Sequence, residues 1–228
     1  MDMLSMKQIA KVFLSKCRDY KMKNEINEFN NYRKKYNSLS FSDKKRIACR
    51  WSKKYPEQAH FNFEHVDFWL RYIVNGHPKV LEIGGWKGDL ALKALSSFKN
   101  IQIWHNYDII ESEPYQRCND YRYKYIILED YIWNKSLEIE YNVLIATHVI
   151  EHFSWSEFVS LISWISTNIE TVLFEAPIPY TGENINWTGD HSTHILEKGW
   201  EQVITEMQNY GFKDLNRMDN TVIFKRCK

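Results

Sequence analysis

The rhythm of apolar positions changes near residue 76. Before it, apolar residues fall in helix-like groupings, such as Ile9, Val12 and Phe13, and later Val66, Trp69, Leu70 and Ile73. Ser40 or Ser42 is placed to cap a helix running through Lys44–Lys53. An irregular joint is expected over 55–63, and Asn75-Gly76-His77-Pro78 stops the last helix. After that point, short continuous apolar runs alternate with longer amphipathic stretches. The runs predict strands at 79–83, 101–107, 123–128, 141–146 and 171–175. The stretches predict helices at 89–98, 155–168 and 196–210. Phe212–Met218 and Thr221–Lys225 then form a pair across the turn residues Asp219-Asn220. Strands that are apolar throughout, separated by helices, belong to a parallel sheet covered on both faces. The expectation is an α/β fold: a doubly wound, mostly parallel seven-stranded sheet whose last strand is antiparallel and lies at the edge. Residues 1–75 are expected to form a helical N-terminal cap and 76–228 the α/β domain.

Composition narrows the class. Hydrophobic residues make up 44% and charged residues 26% of 228, which excludes a disordered chain, a collagen-like fibre and a coiled-coil rod. The formal net charge is +1, yet the first 60 residues hold fifteen Lys and Arg against six acids, a local +9 on a body of −8. A basic arm of this kind suits an anionic partner, but a solvated helical face or docking on its own acidic domain is favoured. Cys17, Cys49, Cys118 and Cys227 are scattered with no C-x-x-C, which fits reduced thiols in a cytoplasmic protein. No run approaches the ~18 apolar residues of a membrane span, and Lys7, Lys11 and Lys16 interrupt the N-terminal apolar patch.

The informative segment runs Val80-Leu81-Glu82-Ile83-Gly84-Gly85-Trp86-Lys87-Gly88-Asp89-Leu90. A buried strand leads through an acid into a glycine-rich loop and then a helix. In doubly wound sheets ligands bind outside the carboxyl ends of the strands, where glycines allow close approach and a helix N-terminus offers free N–H groups. The loop is neither G-x-G-x-x-G nor a P-loop. It is E-x-G-x-x-x-G.

This pattern resembles the first motif, [D/E]-x-G-x-G-x-G, of the class I S-adenosylmethionine-dependent methyltransferases, which have a Rossmann-like fold. Glu82, Gly84 and Gly88 match it; Trp86 stands where the middle glycine usually is, with Gly85 beside it. Three further strand ends agree in order. Asn106-Tyr107-Asp108-Ile109 closes the second strand, and the resemblance gives Asp108 the ribose hydroxyls, with Ile109 next to it. Leu128-Glu129-Asp130-Tyr131 closes the third, which implies Asp130 and Tyr131 at the adenine. The fourth runs Ala146-Thr147-His148-Val149-Ile150-Glu151-His152, similar to the V-L-E-H string of the small-molecule branch, with Asn142 replacing the usual acid before it. His148 and His152 stand at i, i+4, but Glu151 does not sit as in the zinc motif H-E-x-x-H, so contact at the strand end is favoured over a metal. The likeness covers 79–228 and implies S-adenosyl-L-methionine as cofactor, with Thr147 among its contacts.

A long connection, Thr181 to Ile195, follows the fifth strand on the same edge and holds Trp187, Asp190, His191 and His194. In related enzymes this loop and the N-terminal helices cover the acceptor. Phe61 and Trp187, with His60 and Phe63, are therefore expected at the substrate. An oxygen or nitrogen acceptor often has to lose a proton, and histidine suits that work. His191 is the first candidate, then His194 or His148. The N-P-P-[YF] signature of DNA amine methylation and the Pro-Cys nucleophile of cytosine-C5 enzymes are absent. A small polar metabolite or sugar is the expected acceptor. RNA gripped by the basic arm, and a catalytically silent binding subunit motivated by Trp86, are the alternatives. The oligomeric state stays open.

Overall fold

The computed structural model describes residues 27, 30–54, 66–73, 76–111, 117–181 and 195–227. Three helices come first: α1, described over 30–37, α2 (Phe41–Lys54) and α3 (Val66–Ile73). The sheet domain follows as β1 (Lys79–Ile83), α4 (Asp89–Ser97), β2 (Ile103–Asp108), β3 (Tyr123–Ile127), β4 (Val143–Thr147), α5 (Trp155–Asn168), β5 (Thr171–Glu175), α6 (Trp200–Asn209), β6 (Phe212–Met218) and β7 (Thr221–Arg226). The strands lie in the order β3-β2-β1-β4-β5-β7-β6. β7 pairs antiparallel with both β5 and β6, and the other described pairings are parallel.

Period-two alternation divides the strands between two layers. Leu81, Leu144 and Ala146 face one layer, where Phe158, Leu161 and Ile165 of α5 and Val203 and Met207 of α6 pack. Val80, Val143 and Ile145 face the other, against Leu90, Ala94 and Leu95 of α4 and Leu70 and Ile73 of α3. α3 thus shares a core with β1. Two helix starts follow from local chemistry. Ser40 caps α2, its Oγ accepting from Asp43 N at 3.2 Å. Ser154 and Glu157 form a reciprocal capping box at α5, which begins and ends where the sequence predicts.

Other boundaries moved for physical reasons. The expected strand at 101–107 begins at Ile103, because its ladder starts where β1 starts, with Lys79 opposite Ile103. The expected helix at 196–210 begins at Trp200. Ile195 N and Leu196 N donate to Glu151 O at 2.7 and 3.1 Å, which holds the chain out until Gly199 opens the helix. The antiparallel strand is not at the edge. β7 inserts between β5 and β6, so the hairpin's first strand, β6, forms the border.

The two ends of the sheet are built differently. At the amino end, the buried Arg122 guanidinium pairs with Asp120 at 2.7 Å and donates to Leu95 O, Phe98 O and Ile101 O. One side chain thereby ties the end of α4 to the approach to β2. Among the described residues no helix is long and apolar enough to cross a membrane.

Candidate active site

The strand order reverses between β1 and β4, and in open α/β sheets the crevice above such a reversal holds the ligand. The loop after β1 lines it. Gly84 has φ +71°, and a Cβ there would lie 2.4 Å from Val149 Cγ2 in the segment after β4. A Cβ on Gly85 would lie 2.3 Å from Glu82 Cδ. Both positions therefore leave no room for a side chain, and Gly84 also takes a left-handed backbone. Trp86 takes φ +42° and Gly88 +75°, so the tryptophan adopts the left-handed backbone that a glycine would supply at no steric cost. Gly88 opens α4 without a side-chain cap. Lys87 folds back with Nζ 5.3 Å from the Trp86 ring centre.

Four buried carboxyl groups meet at this edge, from the ends of different strands: Glu82, Asp108, Glu151 and Glu175. Glu82 accepts from Trp104 Nε1 at 2.7 Å, and among the described residues nothing donates to its Oε1. Burial pushes this carboxyl up from 4.5 to about 8, helped by the charges of Asp108 and Asp89 and opposed by the indole. Asp108 turns into the loop, where Oδ2 accepts from Trp86 N at 2.8 Å and Oδ1 from Ile110 N at 2.9 Å. Burial raises it from 3.8 to about 6 against the pull of those amides. Glu82 and Asp108, held back from ionising by burial, would gain from a positive charge placed beside them.

At the end of β4, Thr147 stands opposite Glu175 of β5. His148 follows with φ +54° and donates its backbone N–H to Glu175 O at 2.8 Å. Its Nδ1 lies 3.4 Å from Glu151 Oε1, and His152 Nε2 lies 3.9 Å from the same oxygen. A buried glutamate thus sits between two half-buried rings. Among the described residues no three His, Cys, Asp or Glu side chains are grouped to hold a metal ion.

α2 lies across the loops after β2 and β3. Cys49 Sγ donates to Ile109 O at 3.6 Å, and Lys45 Nζ donates to Leu128 O at 3.0 Å and pairs with Glu129 at 2.8 Å. Phe41 packs edge-on against Tyr131 at 4.8 Å. Lys44 pairs with Glu157 at 2.5 Å, and the Tyr131 hydroxyl donates to the same carboxylate. Burial raises Glu157, but the bonds from Lys44, Tyr131 and Ser154 outweigh it and hold the carboxyl low. Asp130 is exposed and accepts from Tyr131 N and Asn134 Nδ2. Part of the basic arm is therefore docked on the chain's own acids.

Glu82, Gly84, Gly85, Trp86, Gly88, Asp108, Thr147 and His148 all lie at this edge, on or beside β1, β2 and β4. Ile109, Asp130 and Tyr131 lie under α2 on its β3 side. His191, His194, Trp187 and Phe61, with His60 and Phe63, lie outside the described residues. Sequence reading missed Asn106, a buried amide whose Oδ1 accepts from Gly85 N at 2.9 Å. A polar residue inside an apolar strand, two before Asp108, was the available sign. It also missed the burial of Glu175, which the pattern renders as a plain strand end.

The residues suit S-adenosylmethionine. The glycine positions leave no room for side chains, an uncapped helix start faces the loop, and Glu82 Oε1 lacks a donor. No protein-family model matches the sequence, and no curated protein does. Solved structures match the fold. Magnesium protoporphyrin IX methyltransferase from Synechocystis PCC 6803, with bound S-adenosylhomocysteine, superposes with a TM-score of 0.54 at 14% identity, over 87% of this chain and 99% of that one. The N-methyltransferase NodS from Bradyrhizobium japonicum WM9, in complex with S-adenosylhomocysteine, gives 0.54 at 13% identity, over 75% and 90%. Seven strands in this order, the reversed β7 and these likenesses agree: the chain has the class I S-adenosylmethionine-dependent methyltransferase fold.

Proposed function

We propose that the protein is an S-adenosylmethionine-dependent methyltransferase acting on an oxygen or nitrogen of a small polar metabolite or sugar. The observation that carries this is the loop 84–88, with three left-handed residues and the buried Asp108 turned into it at the strand-order reversal. When bound, the cofactor supplies a methyl group on a sulfonium centre, already activated for displacement. The chain's part is to bind, align and exclude water, and alignment alone can contribute about 7–11 kcal/mol. Asp108 is the candidate for the ribose. Asp130 and Tyr131 are the candidates for the adenine side, walled by α2. His148, whose Nδ1 lies beside Glu151, is the described candidate to take a proton from the acceptor. His191 and His194 remain candidates for the same step, and Phe61 and Trp187 for the acceptor pocket. The reading includes a cytoplasmic protein with 1–75 as cap and 76–228 as catalytic domain.

The test is calorimetric titration with S-adenosylhomocysteine on the wild type and Asp108→Ala. The expected result is micromolar binding that Asp108→Ala weakens at least tenfold. A wild type that does not bind overturns the proposal and favours a silent subunit of this fold. Binding followed by methylation of RNA but of no sugar or phenol overturns the substrate class.

A further inference from the structure

We propose that Asn106 is the positioning residue of the loop 84–88, doing by hydrogen bonding what a middle glycine does by conformational freedom. The inference rests on reading 84–88 as the cofactor loop. Asn106 sits on β2 with no solvent exposure. A buried primary amide is costly unless its donors and acceptor are used. Here they are used on the loop. Oδ1 accepts from Gly85 N at 2.9 Å, while Nδ2 donates toward Trp86 O at 3.5 Å and to the Tyr123 hydroxyl at 3.3 Å. Asp108, two residues on, takes Trp86 N at 2.8 Å.

These contacts fall on three consecutive peptide groups. Asn106 holds the one before Gly85 and the one after Trp86, and Asp108 holds the one between them. The backbone angles of Trp86 are the twist between the second and third groups. Fixing both groups fixes φ and ψ, whatever the residue itself prefers. A tryptophan in left-handed backbone is unfavourable and persists only where its surroundings over-determine it. β2 supplies that over-determination from one face. The side chains of Asn106 and Asp108 come from one strand at spacing two, so they point the same way. The glycine that the motif lacks at position 86 is thus replaced by a clamp twenty residues away in sequence.

The test uses protein labelled with 15N at its glycines, of which the chain has eight, and calorimetry with S-adenosylhomocysteine. Five forms are compared: wild type, Asn106→Ala, Asn106→Asp, Trp86→Gly and the double variant of Asn106→Ala with Trp86→Gly. Without ligand, Asn106→Ala is expected to shift and broaden the Gly84, Gly85 and Gly88 resonances together. Its affinity is expected to fall about tenfold, the worth of one to two lost hydrogen bonds. On the Trp86→Gly background the same change is expected to cost no more than about threefold, because glycine takes the left-handed angles unaided. Asn106→Asp keeps the acceptor for Gly85 N and is expected to restore part of the loss, which covers an Asn106→Ala protein that does not fold. Equal losses on both backgrounds, or a shift confined to Gly85, would overturn the clamp. Failure of the wild type to bind ends the functional proposal, while the ligand-free spectra still decide the clamp.

Discussion

The two ends of the sheet carry opposite burdens. The amino end carries a groove of about 660 Å³ bordered by His77, Lys79, Lys135, Trp164 and Arg226. Its polar groups face water or each other, and Arg122 seals the adjoining helix end. The carboxyl end holds every described non-glycine residue with positive φ: Trp86, His148 and Asp219. It also gathers four buried carboxyl groups. Strain and desolvated charge persist only where a surrounding structure maintains them, and they cluster at working sites.

Substitutions at the two ends should separate stability from binding. The largest effect is expected at Gly84, where φ +71° and a Cβ 2.4 Å from Val149 Cγ2 leave no room. Gly84→Ala should cost about 3 kcal/mol in denaturant unfolding and abolish S-adenosylhomocysteine binding. Gly76, at the amino end, has φ +82° with nothing within 4 Å of a Cβ. Gly76→Ala should cost only about 1 kcal/mol and leave binding intact. Arg122→Ala should approach the first in stability, about 3 kcal/mol, because three carbonyls and Asp120 lose their partner. Its folded fraction should bind normally in calorimetry.

Next in size is pH. Glu82 titrates near 8 in the fold and Asp108 near 6, both above their ordinary 4.5 and 3.8. The folded state therefore holds protons that the unfolded chain has released. Ligand-free stability should be greatest below about pH 4.5, as far as these two groups decide it, and fall as pH rises toward about 8. Thermal unfolding from pH 5 to 8 measures this, and Glu82→Gln, which cannot ionise, should flatten the slope. A rising profile unchanged by that substitution would contradict the buried-acid account. The smallest effect is expected at Lys45, whose partner Glu129 is 77% exposed. Lys45→Ala should cost about 0.5 kcal/mol of stability. Its effect on affinity should be greater than that of any lysine bordering the amino-end groove, since α2 walls the loops after β2 and β3.

The regular framework was largely legible. α5 was predicted to the residue from its amphipathic stretch, and β5 from the apolar run Val172-Leu173-Phe174 with polar residues on both sides. The position of β7 was not legible. A hairpin shows that two strands pair, not which one reaches the sheet first, and Phe212–Met218 has the weaker apolar pattern of a border strand. In the site, the acids and glycines could be read from spacing. The left-handed Trp86 could not, because its angles are set by Asn106 and Asp108 rather than by its neighbours in sequence. The N-terminal helices were expected over the acceptor. α2 spans the loops that carry Ile109 and Tyr131, where Lys44 pairs with Glu157 and Lys45 with Glu129.

The convergence of Glu82, Asp108, Glu151 and Glu175 also has a kinetic consequence. They come from separate strands and are brought together only when β1, β2, β4 and β5 are in register. A partly assembled sheet does not yet bury Glu82 and Asp108 fully, so the cost of ionising them falls after the folding barrier. It should appear in the rate of opening rather than the rate of closing. Between pH 6 and 8 the unfolding arm of a chevron plot should rise while the refolding arm stays nearly still. The strand ends that hold these acids would then be the first part of the sheet to exchange their amide hydrogens, with the end closed by Arg122 exchanging last.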